Sequence, residues 1–353
     1  MAEAEEVATM IENNEASQQK ESSFINLRHL VVFVMVAIII YLAIFFYSKY
    51  DEVAAAIATI EWWWVFPAMM VLSFLNYIFR YFKWQYYLGR IGVSLSHADS
   101  FSIFLAGFTL TASPGKIGEA IKGYFINELD GTPIAKTVPV VVSERVTDLL
   151  AMILLALVGF ALGVSAADQI LTLILLGGVV LVGAIFLSQP RFYNKFLKKM
   201  TSFGPLKRFQ SSTDLIEDTL SSTLSPKPMM VSTGVSIPGW FMECVELWLL
   251  LSLLTGAGFP SLEPSSLNLL LISTFIHSAA SVIGALVFTP GGLGGYEATA
   301  LILIPALLGL TGEIGQAITG AATIIIRFVT LWFSVIVGFI ALGIVTRRRN
   351  RAK

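Results

Sequence analysis

The chain has 353 residues, enough for two or three soluble domains, but 56% of them are hydrophobic, only 13% are charged and the mean hydropathy is +0.76. That composition excludes a soluble globular chain: stretches of roughly 20 apolar residues, enough to cross about 30 Å of hydrocarbon, recur almost from end to end. Lys+Arg 23 against Asp+Glu 24 gives a formal net charge of -1, which argues against nucleic-acid binding and makes the placement of charges more informative than their sum.

Residues 1–25, rich in Glu, Ala, Asn and Gln, read as a disordered cytoplasmic tail. The acidic start and the length of the first apolar run, Leu30 to Phe46, argue against a cleavable signal peptide and for a first transmembrane helix. Further spans are expected at Trp62 to Phe79, Ile134 to Val164, Ile170 to Leu187, Met230 to Leu254, Leu267 to Phe288, Tyr296 to Leu310 and Gln316 to Val345. Phe101 to Ala112 is too short to cross, and Gly115 to Ile126 behind it is short and charged. The pair is expected to form a re-entrant hairpin with Ser113-Pro114-Gly115 at a tip inside the membrane, the alternative being one irregular amphipathic surface loop. The whole reads as one all-α polytopic transmembrane domain over 26–346, with seven or eight helices and one or two re-entrant hairpins, followed by a basic cytoplasmic tail at 347–353.

Basic residues near helix ends give the orientation. Arg80, Lys83 and Arg90 are assigned to one connection, Arg191 to Lys227 to another, and Arg347 to Lys353 to the C-terminus, so cytoplasmic termini place all three groups inside the cell membrane. The connection 189–228 interleaves Lys/Arg with Phe192, Phe196 and Phe209, as an interfacial helix on the anionic inner leaflet or a solvated linker would. Trp62-Trp63-Trp64 and the cluster Tyr77, Tyr81, Phe82, Trp84, Tyr86, Tyr87 are expected to be interfacial anchors flanking the second helix.

One signal occurs twice. Ser113-Pro114-Gly115-Lys116-Ile117-Gly118-Glu119 resembles Thr289-Pro290-Gly291-Gly292-Leu293-Gly294-Gly295-Tyr296-Glu297, each following one apolar helix and opening another. Each is followed by an arginine within an apolar segment, Arg145 and Arg327. Counting crossings, the pseudo-repeats at 101–164 and 267–345 have opposite orientation, an inverted-repeat arrangement used by transporters whose broken helices meet near the bilayer midplane. Leu267 to Phe288 is also long enough to span completely.

At each tip, Pro pre-sets a helical turn and the glycines Gly115, Gly118, Gly291, Gly292, Gly294 and Gly295 allow close backbone approach, so unpaired N–H groups and a positive dipole end are expected to face an anion. The alternative is that the glycines only let helices pack closely. Lys116, Arg145 and Arg327 are the candidate headgroup-binding cations. Glu144, Arg145 and Asp148 are spaced for an ion pair on one helix face. Glu119, Glu144, Asp148, Glu297, Glu243 and Glu246 are candidates for organising those cations or exchanging protons, or for a purely structural ion-pair network; Glu243 and Glu246 follow an expected kink at Pro238-Gly239. His277, alone on an apolar helix, reads as a hydrogen-bonded packing residue, and Cys244 as a structural thiol. Three His and one Cys assemble no zinc-type cluster, and no cofactor motif appears.

In this order in a polytopic chain, Ser113-Pro114-Gly115-x-Ile117-Gly118-Glu119, Glu144-Arg145-x-x-Asp148 and Pro290-Gly291-Gly292-Leu293-Gly294-Gly295-x-Glu297 resemble the flippase-like family known as the lysylphosphatidylglycerol synthase transmembrane region. The resemblance runs over roughly Leu30 to Val345 and implies a module that moves an anionic or modified lipid between leaflets. In that family the module occurs alone or fused to a soluble catalytic domain; this sequence is expected to be the stand-alone kind, so lipid synthesis is not carried over. The expected function is therefore a lipid translocator, its partners an anionic membrane lipid and a separate cytoplasmic lipid-modifying enzyme. The competing reading is an intramembrane enzyme transferring a sugar or aminoacyl group to a lipid.

Overall fold

The fold is that of a computed structural model, which describes residues 35, 36, 38–44, 46, 50–58, 60–113, 116–164 and 213–352. The expected tail at 1–25, the span Ile170 to Leu187, residues 189–212 of the basic connection, and Pro114-Gly115 lie outside the described residues. From Ile44 onward the described chain forms one compact unit of helices: α1 Tyr50–Ala58, α2 Trp62–Arg90, α3 His97–Ala106, α4 Ile121–Asp130, α5 Ile134–Gly163, α6 Thr213–Leu224, α7 Pro226–Leu254, α8 Pro264–Leu286, α9 Gly295–Leu308, α10 Gly312–Arg327 and α11 Phe333–Ala352. Five of the described stretches are long and apolar enough to cross a membrane: α2, α5, α7, α8, and α10 to α11 taken as one 37-residue rod from Gly312 to Arg348. The protein is an all-α polytopic membrane protein.

Local chemistry fixes the boundaries. Pro226 and Pro264 open α7 and α8 in the first turn, where a missing N–H costs nothing. Ser96 caps α3, its Oγ accepting from the Asp99 N–H at 3.1 Å. Between α3 and α4 the chain narrows into two 3-10 turns, Gly107–Leu110 and Ile117–Ala120, on either side of the tip. A helix of ten residues is about 15 Å long, so α3 and α4 each reach only part-way into a bilayer-sized molecule.

The two tips approach from opposite ends. At one end, the Arg90 Nε of α2 donates to the Ser222 carbonyl of α6, and Arg348 of α11 pairs with Asp99 at the start of α3, 3.0 Å apart. The base of the α3–α4 hairpin lies there. At the other end, Trp64 of α2 meets Phe259 in the α7–α8 connection, ring centroids 5.6 Å apart, and there α8 begins. The α8–α9 pair therefore turns back inside the molecule, from the opposite direction to α3–α4. The long helix after each tip packs on the first limb of the other pair: α5 on α8, and α11 on α3 and its 3-10 turn. Glycines set both contacts. A Cβ on Gly159 of α5 would fall 2.6 Å from the Phe275 N, and one on Gly338 of α11 would overlap the Phe108–Thr109 backbone.

Several expectations change. The second span does not stop at Phe79; α2 runs on to Arg90 because Met69, Ser73, Asn76, Arg80, Lys83 and Tyr87 continue one buried face at helical spacing. Arg80 and Lys83 are therefore not in a solvent-facing connection. The aromatic cluster is not an interfacial belt either: Tyr77, Trp84 and Tyr87 are buried against the hairpin, with Tyr77 4.9 Å from Phe108 between ring centroids, and only Phe82 is well exposed. The pair flanking the second tip is asymmetric: α8, at 23 residues, is long enough to span, whereas α9, at 14, is not. A π turn at Phe328–Trp332 interrupts the expected Gln316 to Val345 span.

Candidate functional site

The two tips are built on the same plan. Glu119, after the first, accepts from the Thr111 Oγ1 at 2.9 Å and from the Arg145 Nη2 at 3.2 Å. Glu297, after the second, accepts from the Gly294 N–H at 2.7 Å and from the Arg327 Nε at 2.7 Å. Each tip glutamate thus holds the arginine of the following long helix. Arg327 is further fixed by donating to the Gly291 carbonyl at 2.6 Å and by lying over the Tyr296 ring at 4.8 Å.

Three of the tip glycines do not leave their N–H groups open to a ligand. Gly118 donates to the Ser113 Oγ at 2.7 Å, Gly292 to the Thr289 carbonyl at 3.0 Å, and Gly294 to Glu297. Gly292 serves close approach instead: at φ 71 its backbone sits against α8, where an added Cβ would come within 3.1 Å of the Gly284 carbonyl.

Around the first tip the ion pairs form a connected set. Lys122 pairs with Glu144 at 2.6 Å and lies 3.8 Å from Glu119, which also faces Arg80 at 3.8 Å. Arg145 bridges Glu119 and Asp148, the latter at 3.4 Å. Asp148 also accepts from Lys83, from the Ser236 Oγ at 3.1 Å and from the Trp240 indole N–H at 2.9 Å. Glu144 therefore faces Lys122, and Arg145 finds Asp148 within its own helix. Arg80 is buried between the Phe108 and Trp240 rings, 4.7 and 5.7 Å from their centroids.

Both tips open on one cavity of about 200 Å³. Its wall carries Arg80, Lys116, Arg145 and Arg327, against the carboxylates Asp148 and Glu243. The Arg80 Nε and Nη2 and the Arg145 Nε are buried with no hydrogen-bond acceptor among the described residues. Leaving a buried donor unsatisfied costs about 1–3 kcal/mol, so these N–H groups favour an acceptor arriving in the cavity, water or an anion.

Of the candidates taken from the sequence, Lys116, Arg145, Arg327, Asp148, Glu243, Gly291 and Gly292 line this cavity. Glu119, Glu144 and Glu297 stand one layer back and hold the cations. Gly118, Gly294 and Gly295 shape the turns, Glu246 is buried beside Ser73, and Gly115 lies outside the described residues. His277 is hydrogen-bonded, as expected of it, but also lines the cavity. Sequence reading missed Arg80, Lys83, Lys122 and Trp240. The i, i+3, i+4 continuation of the buried α2 face was the available signal for the first two; Lys122, three residues after Glu119 and just inside α4, carried one as well.

A polytopic helical membrane protein with a buried, net cationic cavity between two opposed helix turns is the class this architecture defines. Within that class, the chain belongs to the lysylphosphatidylglycerol synthase TM region family, whose model matches residues 32–338. It is similar to a UPF0104 membrane protein of Methanothermobacter thermautotrophicus, 21% identical over 77% of this chain and 83% of the relative. Two UPF0104 membrane proteins of Methanocaldococcus jannaschii are 22% identical over 91% of this chain and 96% of the relative, and 28% identical over 66% and 92%.

Proposed function

We propose that this protein moves lipids with an anionic headgroup between the leaflets of the cell membrane. The observation that carries the reading is the cavity: both tips, approaching from opposite ends, and four basic side chains meet at one space, with guanidinium N–H groups that have no acceptor among the described residues. Arg80 lies ten residues, about 15 Å, from the Arg90 end of α2, near the middle of a ~30 Å hydrocarbon layer. Lys116, Arg80, Arg145 and Arg327 hold the phosphate there, Glu119 and Glu297 keep two of the arginines in place, and the acyl chains stay in lipid. Charges this deep are costly, which favours a wet or ligand-filled cavity over an idle one.

The orientation follows the basic residues. Arg90, Lys136, Lys227, Arg347 and Arg348 belong to helix termini at the end holding the base of the first hairpin, whereas 255–263 and 309–311 at the other end contain no Lys or Arg. The first end, with the C-terminus, is cytoplasmic on this reading, and the N-terminus is assigned to the same side. The test is translocation of a fluorescent phosphatidylglycerol in proteoliposomes. Arg145→Ala and Arg327→Ala, each first checked for a monodisperse, folded preparation, are expected to slow it about tenfold or more, the factor corresponding to ~1.4 kcal/mol of lost headgroup stabilisation. Rates equal to wild type in both would overturn the assignment.

A further inference from the structure

On the cavity wall, three buried side chains form a chain outside the ion-pair set around the first tip. The His277 Nε2 of α8 lies 3.1 Å from the Glu243 Oε2 of α7, and its Nδ1 lies 3.0 Å from the Tyr296 hydroxyl of α9. Ser281, one turn along α8, adds a weaker contact to Nε2 at 3.4 Å. Glu243, His277, Ser281 and Tyr296 all line the cavity, and Arg327 sits over the Tyr296 ring. With the carboxylate ionised and the imidazole neutral, Nε2–H donates to Glu243 and Nδ1 accepts from the tyrosine hydroxyl. That state places a negative charge on the wall of the space that, on the reading above, must receive an anion.

We infer that the Glu243–His277 pair is a proton-coupling site, which takes up a proton as the anionic headgroup enters the cavity and releases it when the headgroup leaves. The inference rests on the proposed anion site and assigns a proton as its co-substrate. One added proton converts the pair from a net charge of −1 to neutral, by Tyr296 turning its hydroxyl and with no heavy atom obliged to move. An anion on Arg145 and Arg327 raises the affinity of the neighbouring pair for that proton, and by linkage the proton raises anion affinity by the same factor.

The groups facing Glu243 are consistent with this. Tyr77 of α2, Lys116 of the first tip and Tyr296 of α9 lie within its electrostatic reach, and Arg80, Arg145, Asp148 and Arg327 share its cavity wall. Glu119 and Asp148 already occupy Arg145, and Glu297 occupies Arg327. Glu246, one turn along α7, is fully buried, accepts from Ser73 at 2.8 Å and has no basic partner among the described residues, so it brings no compensating positive charge to Glu243.

The experiment is calorimetric titration of the purified full-length protein in detergent with dihexanoyl phosphatidylglycerol, in Good's buffers of different ionisation enthalpy near neutral pH. The slope of observed heat against buffer enthalpy counts protons. Wild type is expected to take up about one proton per anion bound, and affinity to rise about tenfold per pH unit lowered across the titrating range. Glu243→Gln is expected to bind the probe with no proton uptake and pH-independent affinity, and Glu246→Gln to retain the uptake. Binding without proton uptake in wild type overturns the coupling and leaves the anion site standing; no saturable binding overturns both. Uptake that persists in Glu243→Gln, in a preparation that remains folded, also overturns the assignment.

Discussion

Lys122 and Glu144 illustrate what holds the site together at the scale of single residues. Both are fully buried, 2.6 Å apart, and the lysine stem packs on Gly107 while its ammonium lies 4.4 Å from the Trp84 ring centroid. Taking two charges out of water is expensive, and the attraction between them repays this only while both are present. Glu144→Ala is therefore expected to destabilise the protein by about 3–5 kcal/mol, read as a fall in Tm in detergent, and Lys122→Met with Glu144→Leu together to recover most of it. A single variant as stable as wild type would contradict that account. Arg145 and Arg327 were legible in the sequence because each stands in an otherwise apolar run, where a charge has to have a partner. Arg80 and Lys83 carried only helical spacing as a signal, and Tyr77, Tyr81 and Trp84 around them look the same whether they face a headgroup layer or, as here, the hairpin.

Between elements, the decisive contacts are helix on hairpin. Gly159 lets α5 meet the backbone of α8, and Gly338 lets α11 meet the 3-10 turn that carries the first tip inward. Bulk at either position must push apart the two halves that frame the cavity, so Gly159→Leu and Gly338→Leu are expected to lower Tm and abolish translocation, whereas Gly234→Ala, which meets nothing within 4 Å, is expected to do neither. The π turn belongs to this scale as well. It follows Arg327 directly, and Ser73 ties it to α2 by donating to the Val329 carbonyl at 3.0 Å. Helical periodicity and length found the span of α5 to within one residue and those of α7 and α8 to within four, but the π turn left no mark in the pattern. The half-length α9 was read as a span because Ala300 to Leu310 is apolar throughout; its stop is a backbone event, Gly309 at φ 64.

For the molecule as a whole, the repeated Pro-Gly signal carried most of the architecture. Two similar stretches, each followed by an arginine, correspond to two turns that approach from opposite ends and share a cavity. Their similarity ends where the helices before them differ: α3 is short, and α8 is long enough to cross. That difference makes the first hairpin the one enclosed by α2, α5 and α11, and it concentrates five basic residues, Arg80, Lys83, Lys116, Lys122 and Arg145, around its tip. The central claim is that this space receives a lipid phosphate. The most direct measurement is an electron cryo-microscopy map of the protein in nanodiscs containing phosphatidylglycerol. Headgroup density between Arg145 and Arg327, lost in Arg145→Ala, is the result expected; tips held apart, or anionic lipid bound only at the outer surface of the helices, would contradict it.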